Sequence, residues 1–453
     1  MTRSHTYIIV NMSSRNTLDL AEIRFLHRQL ASLLVYQSVL ADEVGSSFLQ
    51  LLQALYHSDG GEASALVCLQ AYGNWFKNLA AINVSWQDYL INQIIVADNP
   101  FSQQAQIEKF ASLPPALIAA AEHDLQALHS LYKCSSYQMS RWVQTMCNLS
   151  VTPVFWNQEP QESTHHELLI RTRLQQGNWA DAVKDLASYY RQCGVGIFAK
   201  YFAFRWQAGQ LVGIAYPDQV KPTDLFGYES QKAALVKNTE FLIAGYPALN
   251  VLLYGSRGSG KSSLVKGILN KYSDRHLRLI EVAKSHLQDL PTIVEQLRGL
   301  PQKFIIFVDD LSFEEDDDAF KSLKVVLEGN ITARPQNVVV YATSNRRHLI
   351  REFFEDRPRP SDADEVNSWD TVQEKLSFSD RFGLTLTFEP ADQNTYLNII
   401  RHLAQQAHIQ ISQEDLAYRA LQWATRHNGR SGRTARQFID FLNAELKMPD
   451  SSV

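Results

Sequence analysis

The 453-residue sequence has little net charge, few cysteines and no long apolar segment. Its formal charge is −5, with acids and bases mixed along the chain, which argues against binding of nucleic acid or membranes through bulk charge. The four cysteines form no Cys-x-x-Cys pair, which indicates reduced thiols and neither a disulfide framework nor a zinc site. Residues 1–16 lack the apolar core of a secretory signal, and the least polar stretches are too short and too polar to span a bilayer. We therefore expect a cytoplasmic protein with no membrane segment.

The pattern of apolar residues divides the chain into a helical part and an α/β part. Residues 1–193 place apolar side chains at helical spacing and predict a mostly α-helical N-terminal domain. Residues 194–223 alternate aromatic and polar positions and predict a β-hairpin followed by a linker. Residues 224–390 alternate helices with short apolar strands, which is typical of a mostly parallel sheet. Residues 391–446 are helical again, and 447–453 form a polar tail.

A phosphate-binding loop follows the apolar strand Val251–Tyr254. The sequence from Gly255 to Ser262 matches GxxxxGK[ST], in the strand–loop–helix context that this motif requires. Its glycines allow backbone N–H groups to surround phosphates, and the following helix points its positive end at them. Lys261 supplies a charge to the β- and γ-phosphates, and the Ser262 hydroxyl is a Mg²⁺ ligand. The predicted phosphate-binding residues are Gly255, Ser256, Arg257, Gly258, Ser259, Gly260, Lys261, Ser262 and Ser263.

Two carboxylates, Asp309 and Asp310, end a second apolar strand, Phe304–Val308. Beside a phosphate loop, Asp309 would hold Mg²⁺ and Asp310 would polarise the attacking water. The alternative is a solvated acidic turn, since the acidic run 314–318 follows. The phosphate loop upstream favours the functional interpretation.

Further polar residues follow the phosphate loop and the acid pair along the chain. Asn345 ends the apolar strand that begins at Val338, Arg381 precedes the strand Leu384–Phe388, and several arginines stand at a helix start near Arg433. Taken singly, each arginine would be a surface charge. In this order after a phosphate loop, we interpret them as parts of a catalytic site.

This order of motifs resembles an AAA+ module, and the sequence is similar to a bacterial family catalogued only as a domain of unknown function. The matching stretches are 225–229, 254–263, 308–314, 341–347, 379–383 and 430–438. The resemblance implies an α/β fold with an AAA+ P-loop NTPase core, a parallel five-stranded sheet between helices, and a helical lid. It also implies ATP and Mg²⁺ as cofactors and ATPase activity.

The resemblance assigns a role to individual residues. Asn345 resembles sensor 1, Arg381 an arginine finger that acts on a neighbouring subunit, and either Arg433 or Arg436 resembles sensor 2 on the lid. The segment that resembles the adenine pocket contains Phe226, Gly227 and Tyr228. A finger acting in trans implies a homo-oligomer.

Two departures from the usual AAA+ pattern bear on function. Most members have Asp-Glu where this chain has Asp309-Asp310, and the shorter second side chain predicts slow hydrolysis. The Asp-Asp pair and Arg381-Phe-Gly resemble the replication-initiator and helicase-loader branch. The loop 283–289 also lacks the aromatic residue with which threading unfoldases grip a polypeptide.

These observations favour an ATPase that remodels or loads a partner protein bound through the N-terminal domain. The alternative is a nucleotide-gated oligomeric scaffold or switch with little turnover. Nucleic acid is a further possible partner, through the lid residues Arg426, Arg430, Arg433 and Arg436, although the overall charge does not support it. We prefer to assign these arginines to ATP and subunit contacts.

Overall fold

We analysed a computed structural model of the chain, which describes residues 19–59, 61–158, 165–312, 318–328, 335–345, 378–427 and 429–448. The chain divides into two compact units, Met1–Lys200 and Tyr201–Val453. Of the predicted polar tail, residues 449–453 lie outside the described part. None of the described helices combines the length and the apolar character needed to cross a membrane.

The N-terminal unit is built from helices, and the part that the structure describes contains no strand. Helix α1 covers 19–31. The following helices are α2 (Glu43–Tyr56), α3 (Glu62–Ile82), α4 (Trp86–Ile95), α5 (Pro100–Ile107), α6 (Pro115–Lys133), α7 (Ser136–Met146), α8 (His165–Gln176), α9 (Val183–Cys193) and α10 (Gly196–Lys200). Their apolar faces meet in one core around four buried tryptophans, Trp75, Trp86, Trp142 and Trp179.

A buried carboxylate fixes the segment between the first two helices. Asp124 of α6 is fully buried and accepts hydrogen bonds from the backbone N–H groups of Leu34, Val35 and Tyr36, at 2.7–2.9 Å. His123 lies beside it, with Nδ1 3.1 Å from Asp124 Oδ1. These donors satisfy a charge that burial would otherwise make costly.

We predict that Asp124→Asn destabilises the N-terminal unit by about 2–4 kcal/mol, because an amide turns one acceptor oxygen into a donor facing buried N–H groups. Urea unfolding and hydrogen exchange at residues 34–36 measure the effect. Glu122→Gln, a matched change at an exposed neighbour on α6, should leave both unchanged. Unaltered exchange at residues 34–36 in Asp124→Asn would contradict the assignment.

The C-terminal unit contains a seven-stranded sheet. Its strands are β1 (Ala203–Gln207), β2 (Gln210–Ile214), β3 (Val251–Gly255), β4 (Leu277–Glu281), β5 (Lys303–Val308), β6 (Val338–Ser344) and β7 (Leu384–Phe388), in the spatial order β2-β1-β4-β5-β6-β3-β7. Strands β3 to β7 are the five predicted parallel strands. The predicted hairpin adds two more, because β1 pairs in parallel with β4 and places Ala203 opposite Leu279.

Helices flank this sheet and form a separate lid. The flanking helices are α11 (Glu229–Ile243), α12 (Lys261–Tyr272), α13 (Leu290–Leu297) and α14 (Asp318–Glu328), and the lid helices are α15 (Gln393–Gln406), α16 (Gln413–Arg426) and α17 (Gly432–Lys447). Asp392, Ser412 and Ser431 cap the three lid helices by accepting a backbone N–H in the first turn. The lid has its own apolar core around Tyr396 and Phe438. The predicted α/β fold, a parallel five-stranded sheet between helices with a helical lid after a helical N-terminal region, is confirmed.

The strand order determines which loops meet. Strand β6 lies between β3 and β5, and all three run in the same direction. Every residue of β6 is buried, as expected for a central parallel strand covered on both faces. The carboxyl ends of these strands therefore bring three loops to one edge of the sheet, where open α/β sheets bind ligands.

Candidate functional site

The loop between β3 and α12 has a conformation that requires glycine. Gly255, Gly258 and Gly260 have φ values of 141°, 74° and 91°. A Cβ atom on Gly255 would lie 2.0 Å from the carbonyl oxygen of Phe388. Gly260 is the N-cap of α12, so the unpaired N–H groups of the first helical turn face the loop. Loop and helix together form an anion-binding concavity.

Lys261 is the cation of this loop and is only 6% exposed. Its ammonium donates to the carbonyl oxygens of Gly255 and Ser256, at 2.9 and 2.7 Å. Burial lowers the pKa of Lys261, while the nearby Asp309 and Asp310 oppose that shift. The amine is thus held among acceptors beside two carboxylates.

The structure places the acid pair next to the phosphate loop. Asp309 Oδ1 accepts a hydrogen bond from the Ser262 hydroxyl at 2.6 Å and another from Thr343. Asp310 Oδ1 accepts from Asn345 Nδ2 at 2.6 Å. The other end of the Asn345 amide, Oδ1, lies 3.4 Å from Lys261 Nζ. One network therefore connects the phosphate loop, both carboxylates and Asn345.

The oxygen atoms at this edge fit Mg²⁺. The Ser262 hydroxyl and the Asp309 carboxylate are hard oxygen ligands only 2.6 Å apart. Magnesium in phosphate-transfer sites takes one or two protein oxygens and completes its octahedron with substrate phosphates and water. Ser262 and Asp309 are the residues that would hold it.

The site opens into a cavity of about 920 Å³ between the core and the lid. Most of the predicted site residues line it: Phe226, Tyr228, Ser256, Arg257, Gly258, Ser259, Gly260, Lys261, Ser262, Ser263, Asp309, Asp310, Asn345, Arg433 and Arg436. Three do not belong to this lining, namely Gly227, Gly255 and Arg381. Gly227 and Gly255 instead shape the backbone, with φ values of 82° and 141°. Arg381 ends a short helical turn before β7 and is half-buried.

Four apolar side chains belong to the lining, and we call them the apolar end of the cavity. They are Leu225 and Phe226 of the core and Ile399 and Leu403 of the lid helix α15. The Phe226 ring lies 5.7 Å from the ring of His402, also on α15. Core and lid thus build this end of the cavity together.

Tyr228 is fixed by two contacts at the same end. Its hydroxyl donates to the carbonyl oxygen of Glu389 at 2.6 Å, and its ring packs 4.8 Å from Phe388. Tyr228 therefore presents a constant surface to the cavity.

The start of lid helix α17 contacts the phosphate loop directly. The Arg433 N–H donates to the carbonyl oxygen of Gly258 at 3.2 Å. A Cβ atom on Gly258 would lie 2.8 Å from Ser431 Oγ, so glycine also permits this close approach. Arg433 is near enough to Lys261 to lower its pKa, which places this arginine beside the phosphate loop.

Several lining residues were not predicted. Gln437 and Asp440 follow Arg433 and Arg436 on α17, and helical spacing from those arginines could have found them. Thr343 also lines the cavity, two residues before Asn345. Its signal is a hydroxyl near the carboxyl end of a strand that begins with apolar residues.

Sequence comparison places the chain in a family. The family model described as "Protein of unknown function (DUF815)" matches residues 199–446, which is more than half of the chain. The chain belongs to this family. The predicted membership of a family catalogued only as a domain of unknown function is thereby confirmed. Among curated protein sequences, none matches the chain significantly.

Solved structures that are similar to part of the chain include RuvB and DnaA. The RuvB Holliday junction branch migration motor of Thermotoga maritima has 15% identity and a TM-score of 0.30, over 50% of this chain and 74% of that one. AMPPCP-bound DnaA from Aquifex aeolicus has 15% identity and a TM-score of 0.35, over 51% of this chain and 67% of that one.

Proposed function

We propose that this protein binds ATP with Mg²⁺ and hydrolyses it. The observation that carries the proposal is the network in which Lys261, Ser262, Asp309, Asp310 and Asn345 converge at the carboxyl edge of the sheet. A phosphate loop alone binds a phosphate group. The adjoining pair of carboxylates adds groups suited to a metal and to an attacking water.

Each residue of the network has a distinct task in this reaction. The loop N–H groups and Lys261 bind the β- and γ-phosphates, and Ser262 and Asp309 hold the metal. Magnesium, when bound, neutralises charge that develops on the phosphates. Asp310 accepts a proton from the attacking water, and Asn345 orients that water. Arg433, next to Gly258, is our assignment for sensor 2, with Arg436 one helical turn further on.

The apolar end of the cavity suits an adenine ring. Leu225, Phe226, Ile399 and Leu403 offer the apolar surfaces between which a flat base packs. Because core and lid both contribute, nucleotide binding would hold the lid against the core. This coupling is how we propose that turnover moves the lid.

We further propose that the active form is a homo-oligomer that remodels or loads a partner protein bound to the N-terminal unit. The position of Arg381 outside the cavity lining of its own chain supports a role in a neighbour's site. The alternative, a nucleotide-gated scaffold with little turnover, is favoured by one contact: Asn345 already donates to Asp310 at 2.6 Å, which engages the proposed base.

The test is ATP hydrolysis measured against protein concentration. We expect slow Mg²⁺-dependent release of phosphate, a specific activity that rises with concentration, and loss of activity in EDTA. ATP binding with barely detectable turnover in an assembled oligomer would instead support the scaffold. Absence of ATP binding would contradict both proposals.

A further inference from the structure

Thr343 lies where the two central strands bring the acid pair and Asn345 together. It is the sixth residue of β6 and only 2% exposed. The register pairs Val308 of β5 with Ala342, so Thr343 is adjacent to the point where β5 ends and Asp309 begins. A threonine at this position is not needed to fill the core, because valine has nearly the same shape.

Both hydrogen-bonding capacities of the Thr343 hydroxyl are directed at the acid pair. Its Oγ1–H donates to Asp309 Oδ1, and its Oγ1 accepts the backbone N–H of Asp310 at 3.0 Å. Its carbonyl oxygen also accepts the N–H of Leu311 at 2.7 Å. One residue thus bonds to three consecutive residues after β5.

The backbone that Thr343 holds has an uncommon conformation. Asp310 has φ 52°, in the left-handed region that residues other than glycine rarely adopt. Such a conformation persists when surrounding contacts over-determine it. The two N–H bonds to Thr343 flank this φ angle, and the resulting turn places the Asp310 carboxylate 2.6 Å from Asn345.

We propose that Thr343 is a positioning residue that orients both carboxylates for Mg²⁺-dependent chemistry. Its hydroxyl holds Asp309 against Ser262, where the metal ligands meet, and fixes the backbone turn that presents Asp310. The inference rests on the proposed ATPase function. In this proposal Thr343 acts through the two aspartates, because its hydroxyl forms hydrogen bonds with the Asp309 carboxylate and the Asp310 N–H.

The test compares Thr343→Val, which removes the hydroxyl, with Thr343→Ser, which keeps it. The matched control is Thr239→Val, since Thr239 is a fully buried threonine of α11 whose hydroxyl bonds to Tyr341 and Leu235, away from the acid pair. ATP affinity is measured by calorimetry in EDTA and in MgCl₂, and kcat and KM by phosphate release. Thermal unfolding of each variant reports the stability lost with a buried hydroxyl.

We expect Thr343→Val to bind ATP in EDTA as the wild type does but to lose most of the gain in affinity that Mg²⁺ provides. Its kcat should fall roughly 10- to 100-fold, the range for a lost hydrogen bond to a charged group, with little change in KM. Thr343→Ser should restore both properties. Thr239→Val should lose stability alone.

Two other outcomes are distinguishable. In the first, Thr343→Val keeps both the wild-type kcat and the wild-type gain in ATP affinity from Mg²⁺, or Thr239→Val shows the same losses. Either result would overturn the assignment of Thr343 and leave the ATPase proposal intact. A wild-type protein that binds no ATP with or without Mg²⁺ would overturn both. If the wild type binds ATP but barely hydrolyses it, the Mg²⁺ gain in affinity still decides the role of Thr343.

Discussion

Replacing Lys261 with alanine is expected to lower ATP affinity about 10- to 100-fold and hydrolysis by about 1,000-fold or more. Lys261 is only 6% exposed and its ammonium is already held by the carbonyl oxygens of Gly255 and Ser256, so the ammonium is fixed in place before any phosphate arrives. A cation that is already fixed in place loses little conformational entropy when phosphate binds, and it stabilises the charge that develops in the transition state.

Calorimetry with ATP and a phosphate-release assay measure the two losses. Lys261→Arg should fail almost as completely, because a planar guanidinium does not fit the close space between the two carbonyls. Lys271→Ala is the matched control, since Lys271 is an exposed lysine in the last turn of the same helix, α12. Wild-type affinity in Lys261→Ala would show that nucleotide binds elsewhere.

The geometry of the candidate phosphate loop could be predicted because the residues that determine it are close together in the sequence. The conformation of the loop depends on Gly255, Gly258 and Gly260, and the charge on Lys261, all within seven consecutive residues. The strands that precede Asp309 and Asn345 are short apolar runs, so they can also be predicted directly from the sequence. Parallel strands then bring their carboxyl ends to one edge whatever their order.

Features that depend on tertiary pairing could not be predicted. The hairpin was expected, but not the parallel pairing of β1 with β4, because a strand of this length carries no sequence signal for its neighbour. The left-handed turn at Asp310 was also missed, since aspartate usually adopts other conformations. The position of Thr343 beside the acid pair depends on the pairing of β6 with β5.

For the N-terminal unit, the helical character could be predicted from the sequence, but the role could not. Apolar spacing predicts the helices, and the unit's fully buried carboxylate, Asp124, has a structural partner in the backbone of residues 34–36. A carboxylate satisfied in this way stabilises the fold but identifies no ligand. The partner that we propose for this unit is therefore argued from the C-terminal unit.

Loss of the proposed arginine finger, Arg381, is the second change with a large expected effect on hydrolysis. An assay of mixed variants tests whether this arginine acts on a neighbouring subunit. We expect Arg381→Ala and Asp310→Asn each to reduce hydrolysis by about 1,000-fold when assayed alone. Asp310 lines the cavity of its own chain, whereas Arg381 does not belong to that lining. If Arg381 completes a neighbour's site, an Arg381→Ala chain supplies an intact acid pair and an Asp310→Asn chain supplies the intact arginine.

An equimolar mixture should therefore recover up to about one quarter of the wild-type rate, because half of the sites keep the acid and half of their neighbours keep the arginine. Phosphate release after mixing, with co-assembly checked by size-exclusion chromatography, measures this recovery.

The matched control mixes Asp310→Asn with Asn345→Ala. These two residues bond to each other within one chain's cavity, so no exchange of subunits can assemble a complete site from them. Recovery in the first mixture and not in the second requires a site shared between subunits. Failure of the first mixture, in chains that bind ATP and assemble together, would leave Arg381 without a role in trans and would favour the nucleotide-gated scaffold.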